Sequence, residues 1–417
     1  MRKERFDIAV IGGGPAGLAA ASTATAKGAK VALIEREAIL GGILKQCVHD
    51  GFGVIRYDQK LTGPEYAQKE IDNLNKYEVT KFLLTFVTKI TKHSSDFVIQ
   101  FVNRTGAGEI EAKKIILATG CRERTSKQIG IHGANPAGVL TAGTVQNYVN
   151  LQGLMPTRKC VILGSGDIGL IMARRLTLEG AKVVGVYEAK PTPGGLTRNV
   201  VQCLHDYDIP LHLSHTVTKV FGIDRLNAVE ISEVDEKMKP IKGTEEIVEC
   251  DSLILSVGLI PENEIAKQLA VPICPFTRGA VVDQTLMTLT DNVFSCGNAL
   301  HVSDLADYVS ESGETAGLYA CKSQKTRNLV NVTKNKNLLY VVPQKINLDA
   351  PLGETVFYFR VMEEFENAKL TVFADDKPIF SKRYSHLRPP EMERLKLNIS
   401  EYSDCHGISF DLEVGVL

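Results

Sequence analysis

Two hexapeptides in this chain have the composition and setting to hold phosphate. The first, Gly12-Gly13-Gly14-Pro15-Ala16-Gly17, follows the apolar run FDIAVI; the second, Gly164-Ser165-Gly166-Asp167-Ile168-Gly169, follows KCVIL. Each leads into a run of small and aliphatic residues, then a second apolar run and a glutamate, Glu35 or Glu188. In such a turn the first glycine permits the bend, the second lets a pyrophosphate reach the backbone, and the third lets helix and strand pack closely. Free N–H groups at the helix start face the phosphates, and a carboxylate ending the next strand accepts from a ribose diol. A lone glycine turn says little, but here strand, helix and acid stand at the required spacing twice. An acid at 188 repels a 2′-phosphate, so the second site favours NAD(H) over NADP(H), with Lys190 as an opposing charge. Two bound dinucleotides imply electrons passing between them. One FAD and one NAD(H) is the natural pair, because a flavin takes up hydride and releases electrons singly or in pairs.

The turns demand particular elements around them. Residues 6–11 read as a strand, 15–27 as a helix and 30–34 as the next strand. Between 81 and 118 the runs KFLLTFVTKI, DFVIQFV and KKIILATG predict a small antiparallel layer and a return strand into the parallel sheet. The Gly-, Pro- and Asn-rich stretch at 131–144 announces a second domain. There DSLILSVG at 251–258 mirrors ILATG at 116–120 as a return strand ending in glycine. NVFSCGNAL at 292–300 is another strand meeting a glycine, with a helical pattern from about 303 to 326. The expected fold class is α/β, with two Rossmann-like dinucleotide-binding domains. The NAD domain (151–275) is inserted in the FAD domain (1–150 and 276–330). Beyond the polar NVTKNKN, five β-rich runs predict a small all-β, sandwich-like domain over 336–417.

Bulk properties narrow the function classes. The 417 residues suffice for two or three domains with full cores. A formal net charge of −1 and the lack of a basic stripe argue against nucleic acid. No apolar run is long enough to span a bilayer, and Asp7 with the glycine turn interrupts the brief likeness to a signal peptide. Nine scattered cysteines form neither CxxC nor a metal-type pair, which suits reduced thiols in a cytoplasmic protein and no metal site.

On these residues the chain resembles the pyridine nucleotide–disulfide oxidoreductase superfamily of flavoproteins, over residues 5 to about 326. The resemblance implies FAD at Gly12, Gly14, Gly17 and Glu35, along Gly41-Gly42, at Ala118-Thr119-Gly120, and at Gly297-Asn298, where the family has Gly-Asp. Pro15, Ala16, Arg36, Ile43, Gln46, Val87 and His301 are assigned to the same cofactor, and Gly164, Gly166, Asp167, Ile168, Gly169, Glu188 and Gly258 to NAD(H). The segments GGILKQCVHDGFG, LTGPEYA, LGSGDIGLIMARR and LSVGLIPENE are similar to one subgroup. It comprises FAD/NAD(P) oxidoreductases found beside glycerol-3-phosphate-dehydrogenase-like flavoproteins, and flavin subunits of opine, proline and cyanide-forming amine dehydrogenases. That likeness implies an electron-transfer partner, a flavoprotein or iron–sulfur subunit. A homo-oligomer is compatible with the sequence.

The loop after Gly42 departs from the family. Disulfide reductases carry GGxCxxxxC there, one thiolate to attack and one thiol to resolve. Here Leu44 fills the first position and Cys47 is the only loop cysteine. Two readings of Cys47 stand open: a thiolate with pKa lowered by Lys45, His49 or a helix N-terminus, or a buried small hydrophobe lining the flavin pocket. Lys45 has the charge to stabilise a reduced flavin, and His49 is a candidate for proton transfer. Asp304 and Asp307 read as acids at a helix start. His386 and Glu391 imitate the acid–base pair of disulfide reductases, but with different flanks and in a β-rich context, so the match is read as chance.

The expected function is an FAD-dependent NAD(P)H oxidoreductase, passing electrons from NADH to a partner redox subunit, a quinone or a dye. Two alternatives remain. One is a non-catalytic or partner-dependent flavin subunit. The other is a thiol or peroxide reductase, or NADH oxidase, using Cys47.

Overall fold

The computed structural model describes residues 4–322 and 326–415. Residues 323–325, within the helical pattern expected over 303–326, and 416–417, the end of the expected β domain, lie outside the described residues. The chain divides into two compact units, Met1–Cys121 with Pro261–Leu417, and Arg122–Ile260. The crossings fall at 121/122 and 260/261 rather than at 150/151 and 275/276. Packing moves them. Val139–Thr141 pairs in parallel with Ser252–Leu255, and Ala142 and Val145 are buried in the core of the inserted unit. Ala266, Leu269 and Val271 are instead buried in the core of the first.

In the first unit, Arg5–Ile11 lies in parallel between Val31–Ile34 and the second half of Gly106–Leu117. Thr80–Phe82 and Val293–Ser295 extend this parallel sheet on either side. All four residues of Val31–Ile34 are buried, as in a sheet covered on both faces. Gly106–Leu117 changes partners halfway. Its first half runs antiparallel to Asp96–Asn103, which pairs with Phe86–His93. The alternating sequence of that region is thus one antiparallel layer grown on a strand of the parallel sheet. The helices Pro15–Ala26 and Ala306–Ala320 touch backbone to backbone, since a Cβ on Gly313 would stand 2.1 Å from the Ala16 carbonyl oxygen.

The C-terminal strands form two sheets. One is ordered Lys345–Asn347, Leu329–Lys334, Gly407–Val414, Phe365–Ala374, Lys377–Leu387; the other Leu338–Val342, Glu354–Val361, Glu393–Asn398. Phe357, Phe359, Leu370, Val372, Phe410 and Leu412 fill the core between them. This layer starts at Leu329 and does not separate from the first unit. Tyr340 and Val342 are buried in the first unit's core, and Gln344 Oε1 accepts from the Val282 amide at 3.0 Å.

The inserted unit repeats the parallel plan, ordered Val139–Thr141, Ser252–Leu255, Lys159–Leu163, Lys182–Glu188, Leu211–Leu213. A four-stranded sheet of His132–Gly133, His215–Gly222, Leu226–Glu233 and Glu246–Glu249 packs with it. Among the described residues, no helix is long and apolar enough to cross a membrane.

Candidate functional site

In the first unit four segments converge on the start of the Pro15–Ala26 helix. Gly12, at φ 108°, bends the chain beneath the return strand, and a Cβ there would sit 2.3 Å from the Ala118 carbonyl oxygen. A Cβ on Gly17 would sit 1.8 Å from the Gly12 oxygen, so helix and turn fit only without side chains. Gly14 differs: its φ is −76°, and a Cβ would meet nothing nearer than Gly42 Cα at 3.9 Å. It caps the helix with no side-chain hydrogen bond, and Pro15 takes the first helical position, where its missing N–H costs nothing. The first turn contains no acid. Backbone donors, a positive helix end and open space at Gly14 fit a dinucleotide pyrophosphate.

The acid and the glycine pair brace this turn. Glu35, 7% exposed, accepts from the Gly13 amide at 2.7 Å and the Glu37 amide at 2.8 Å. The Gly41 amide donates to the Gly13 oxygen at 2.8 Å. Thr119 Oγ1 donates to the Glu262 oxygen at 2.6 Å, and the Gly120 oxygen accepts from the Glu262 amide at 2.9 Å. Gly297, opening the Gly297–Ala299 turn, lies where a Cβ would stand 2.8 Å from Ala16 Cβ. Gly12–Gly17, Glu35, Gly41-Gly42, Ala118–Gly120 and Gly297 are therefore brought together. Gln46 is buried beside them in the Gly42–Gln46 turn, whereas Ile43 and Arg36 are exposed. Val87 is buried in the first unit's core.

The inserted unit holds the same arrangement. Gly164, at φ 97°, underlies the Ser256 oxygen as Gly12 underlies Ala118, and Gly169 closes on the Gly164 oxygen. Gly166 is open, its nearest Cβ neighbour being Ser256 Oγ at 3.8 Å, and it caps the Asp167–Leu178 helix without a side-chain bond. Glu188 Oε2 accepts from both the amide and the hydroxyl of Ser165, at 2.9 and 2.7 Å. Its Oε1 accepts from the Lys190 amide at 3.0 Å. Asp167 Oδ1 accepts from the Leu196 amide and Asn199 Nδ2. Ile168 packs against the inserted core, and the Gly258 oxygen accepts from the Arg124 amide at 3.1 Å.

Sequence reasoning missed one part of this second site. Gly194-Gly195 follows Glu188 at the spacing with which Gly41-Gly42 follows Glu35. The Gly194 amide donates to Ser165 Oγ at 2.7 Å, and a Cβ on Gly195 would stand 2.8 Å from Asp167 Oδ1. The repeated E-x5-GG spacing was the available signal.

The loop cysteine sits where burial disfavours its thiolate. Cys47 ends the Gly42–Gln46 turn, and its Sγ lies 3.5 Å from the Ile43 oxygen. Burial pushes its thiol up to about 11, the direction of the buried reading and opposite to that of the thiolate reading. Lys45 donates instead to the Ile39 oxygen at 2.7 Å. His49 Nδ1 lies 3.1 Å from the Asp50 oxygen, with its ring 5.0 Å from that of Phe52.

Asn298 is engaged within the protein: its Oδ1 accepts from the Ser303 amide at 3.1 Å and its Nδ2 faces Cys121 Sγ at 3.6 Å. His301 is 3% exposed, and its Nδ1 has no hydrogen-bond partner among the described residues. Burial first, then the nearby Arg360 charge, push it down to about 3, so the imidazole is neutral. Asp307 stands in the first helical turn as expected, yet its carboxylate accepts from the amides of Gly53 (3.2 Å) and Arg56 (2.8 Å) and pins that loop. Asp304 precedes the helix and pairs with Arg360. His386 Nε2 lies 2.9 Å from Glu364 Oε1.

Comparison with known proteins places these sites in context. The family description pyridine nucleotide-disulphide oxidoreductase matches residues 6–316. The chain is 24% identical over 277 residues to an opine oxidase subunit of Agrobacterium tumefaciens, covering 63% of this chain and 54% of that one. It is 25% identical over 319 residues to a ferredoxin–NADP reductase of Leuconostoc citreum, covering 74% and 88%. The chain thus spans about half the length of the oxidase subunit it matches. In fold it is similar to Lactococcus lactis thioredoxin reductase, with a TM-score of 0.64 and 21% identity, covering 76% of this chain and 97% of that one.

Proposed function

The chain belongs to the pyridine nucleotide-disulphide oxidoreductase family, and on that premise we propose that it oxidises NADH and delivers the electrons to a second acceptor. The family binds FAD and NAD(P)H. FAD held in the first unit would supply the redox chemistry, since a flavin accepts hydride and releases electrons in pairs or singly.

The doubled cradle carries this reading. Two open glycines, Gly14 and Gly166, each head an uncapped helix and each stand beside a carboxylate-braced turn. In the first unit the Gly14, Ala16 and Gly17 amides at the helix start bind the FAD pyrophosphate, while Gly12, Gly13, Gly41 and Gly42 shape the turn around it. Glu35 fixes the turn and orients the adenosine ribose; Arg36, Ile43, Gln46, Val87, Ala118–Gly120, Gly297, Asn298 and His301 line the rest. In the inserted unit Gly164, Gly166, Asp167, Ile168, Gly169 and Gly258 hold NAD(H). Glu188 receives the ribose diol and disfavours the 2′-phosphate of NADP(H). With Leu44 in the loop and the Cys47 thiol protonated at neutral pH, neither disulfide reduction nor a Cys47 thiolate cycle is supported.

The acceptor is a partner redox subunit, flavoprotein or iron–sulfur, or else a quinone or dye. Similarity to an opine oxidase subunit supports a partner and favours one second reading, a flavin subunit that turns over only in its complex. Nine cysteines in the reduced state suit a cytoplasmic location. The test is anaerobic stopped flow of the FAD-loaded chain, read at the flavin band near ~450 nm. The reading requires fast bleaching by NADH and slower bleaching by NADPH. A chain that holds FAD but is not bleached by either supports the partner-dependent reading instead.

A further inference from the structure

The C-terminal β layer reaches the segment that follows Gly297 through two arginines. Arg360, on the Glu354–Val361 strand, pairs with Asp304, donates to the Val302 oxygen at 3.3 Å and donates through Nε to the Tyr340 hydroxyl at 3.0 Å. The Met392 amide adds a bond to Asp304 Oδ2 at 2.6 Å. Arg394, on the Glu393–Asn398 strand, binds Glu311 in a fork, with Nε donating to Oε2 at 2.9 Å, and the Tyr358 hydroxyl donates to the same oxygen at 2.7 Å. Between these anchors lies His301. The rings of Tyr340 and Tyr358 stand 6.1 and 5.1 Å from its imidazole.

Two features go beyond packing. The Arg360 and Arg394 side chains are only 13% and 21% exposed, so the layer commits two desolvated charges to one short segment. A buried charge of this kind is retained only where its geometry is well satisfied. And His301 Nδ1 is a buried polar atom left without a partner among the described residues, which points to a ligand group that completes it.

We propose that the C-terminal β layer is a working wall of the first site: Arg360 and Arg394, acting through Asp304 and Glu311, are positioning residues that hold the 297–311 segment so that Asn298 and the His301 imidazole meet FAD. The inference rests on FAD binding at the first site. A neutral His301 then supplies a hydrogen bond to a hydroxyl of the dinucleotide, and the layer sets how tightly and in what environment the flavin is held.

The test compares the full chain with Arg360→Met, Arg394→Met, Asp304→Asn and a control, Lys377→Met, whose exposed ammonium lies over the Tyr402 ring in the same layer. FAD affinity, the visible spectrum of the bound flavin and the thermal midpoint are measured together. Arg360→Met and Arg394→Met should bind FAD at least about ten-fold more weakly and shift the flavin band. Asp304→Asn should fall between them and the control. Should Arg360→Met fail to fold, Asp304→Asn still decides, because Arg360 keeps its Tyr340 and Val302 bonds there. Variants that fold normally yet keep wild-type affinity and spectrum overturn the proposal. A wild-type chain that takes up no FAD overturns the FAD reading along with it.

Discussion

Glu188 holds Ser165 at two points, accepting from its amide at 2.9 Å and from its hydroxyl at 2.7 Å. The acid that ends a strand thus braces the very turn proposed to receive phosphate. Glu188→Gln keeps the shape and weakens the charge-assisted bonds. NADH KM should rise by about ten-fold, since a hydrogen bond to a charged group is worth about 1.5–3 kcal/mol. NADPH should lose less, because the carboxylate that repels its 2′-phosphate is gone. Steady-state KM and kcat for both nucleotides check this; an unchanged NADH/NADPH ratio would remove Glu188 from the specificity account.

Gly14 and Gly17 lie three residues apart and should respond oppositely to a methyl group. At Gly17 the added Cβ would overlap the Gly12 oxygen, so Gly17→Ala should cost about 1–3 kcal/mol of stability by overpacking. At Gly14 the φ is ordinary and the space open, so Gly14→Ala should melt like wild type. Only a bound pyrophosphate would meet that methyl, and FAD affinity should drop. Thermal melts beside FAD titrations separate the two effects, and a Gly14→Ala chain with intact FAD affinity would sink the pyrophosphate assignment.

Much of this architecture was legible because its signals are local. The apolar runs, glycine turns and acids announce strand, turn, helix and strand within about thirty residues. The inserted unit followed from the repetition. What escaped was set by contacts distant in sequence. The crossing between units depends on Val139–Thr141 pairing with Ser252–Leu255, and no pattern near residue 140 encodes that partner. Asp307 read as a helix-start acid, yet its bonds run to Gly53 and Arg56, some 250 residues earlier. The β layer read as a separate domain, because nothing in TVFYFRVM shows that Arg360 reaches Asp304. The two readings of Cys47 stayed open in the sequence for a different reason: Lys45 and His49 are its neighbours along the chain, but their side chains bond to backbone oxygens of Ile39 and Asp50.

The buried thiols make stability fall at alkaline pH. Burial pushes Cys47 and Cys250 up to about 11 and Cys160 and Cys296 up to about 12. In the unfolded chain a thiol ionises near ~8.5. Above that pH the folded state binds more protons than the unfolded one, so its stability is full below about 8.5 and is lost as pH climbs through 11 to 12. Thermal midpoints should be flat from about pH 7 to 8 and decline from about pH 9 upward. The same raised value makes Cys47 slow to alkylate with iodoacetamide at pH 7, with a rate still rising at pH 10. Fast alkylation at neutral pH would restore the thiolate reading, and Cys47→Ser should leave NADH oxidation intact.

Arg56 ties the loop after Cys47 to the helices behind it. Its Nε meets Glu70 at 2.5 Å and its guanidinium also meets Glu314 at 2.7 Å, while the Tyr57 hydroxyl donates to Glu70 at 2.7 Å. Glu70 is 1% exposed, so its charge is tolerated only because these donors surround it. Removing one partner of such a pair leaves the other charge buried, at a cost of about 3–5 kcal/mol. Glu70→Ala should therefore melt well below wild type, and Glu70→Gln, which still accepts from Arg56 and Tyr57, should lose less. Glu314 is far more exposed, with 45% of its side chain accessible, so Glu314→Ala should cost about 1 kcal/mol or less. Urea unfolding of the three variants checks the ranking. Equal losses at Glu70 and Glu314 would mean that burial of the pair does not decide its strength.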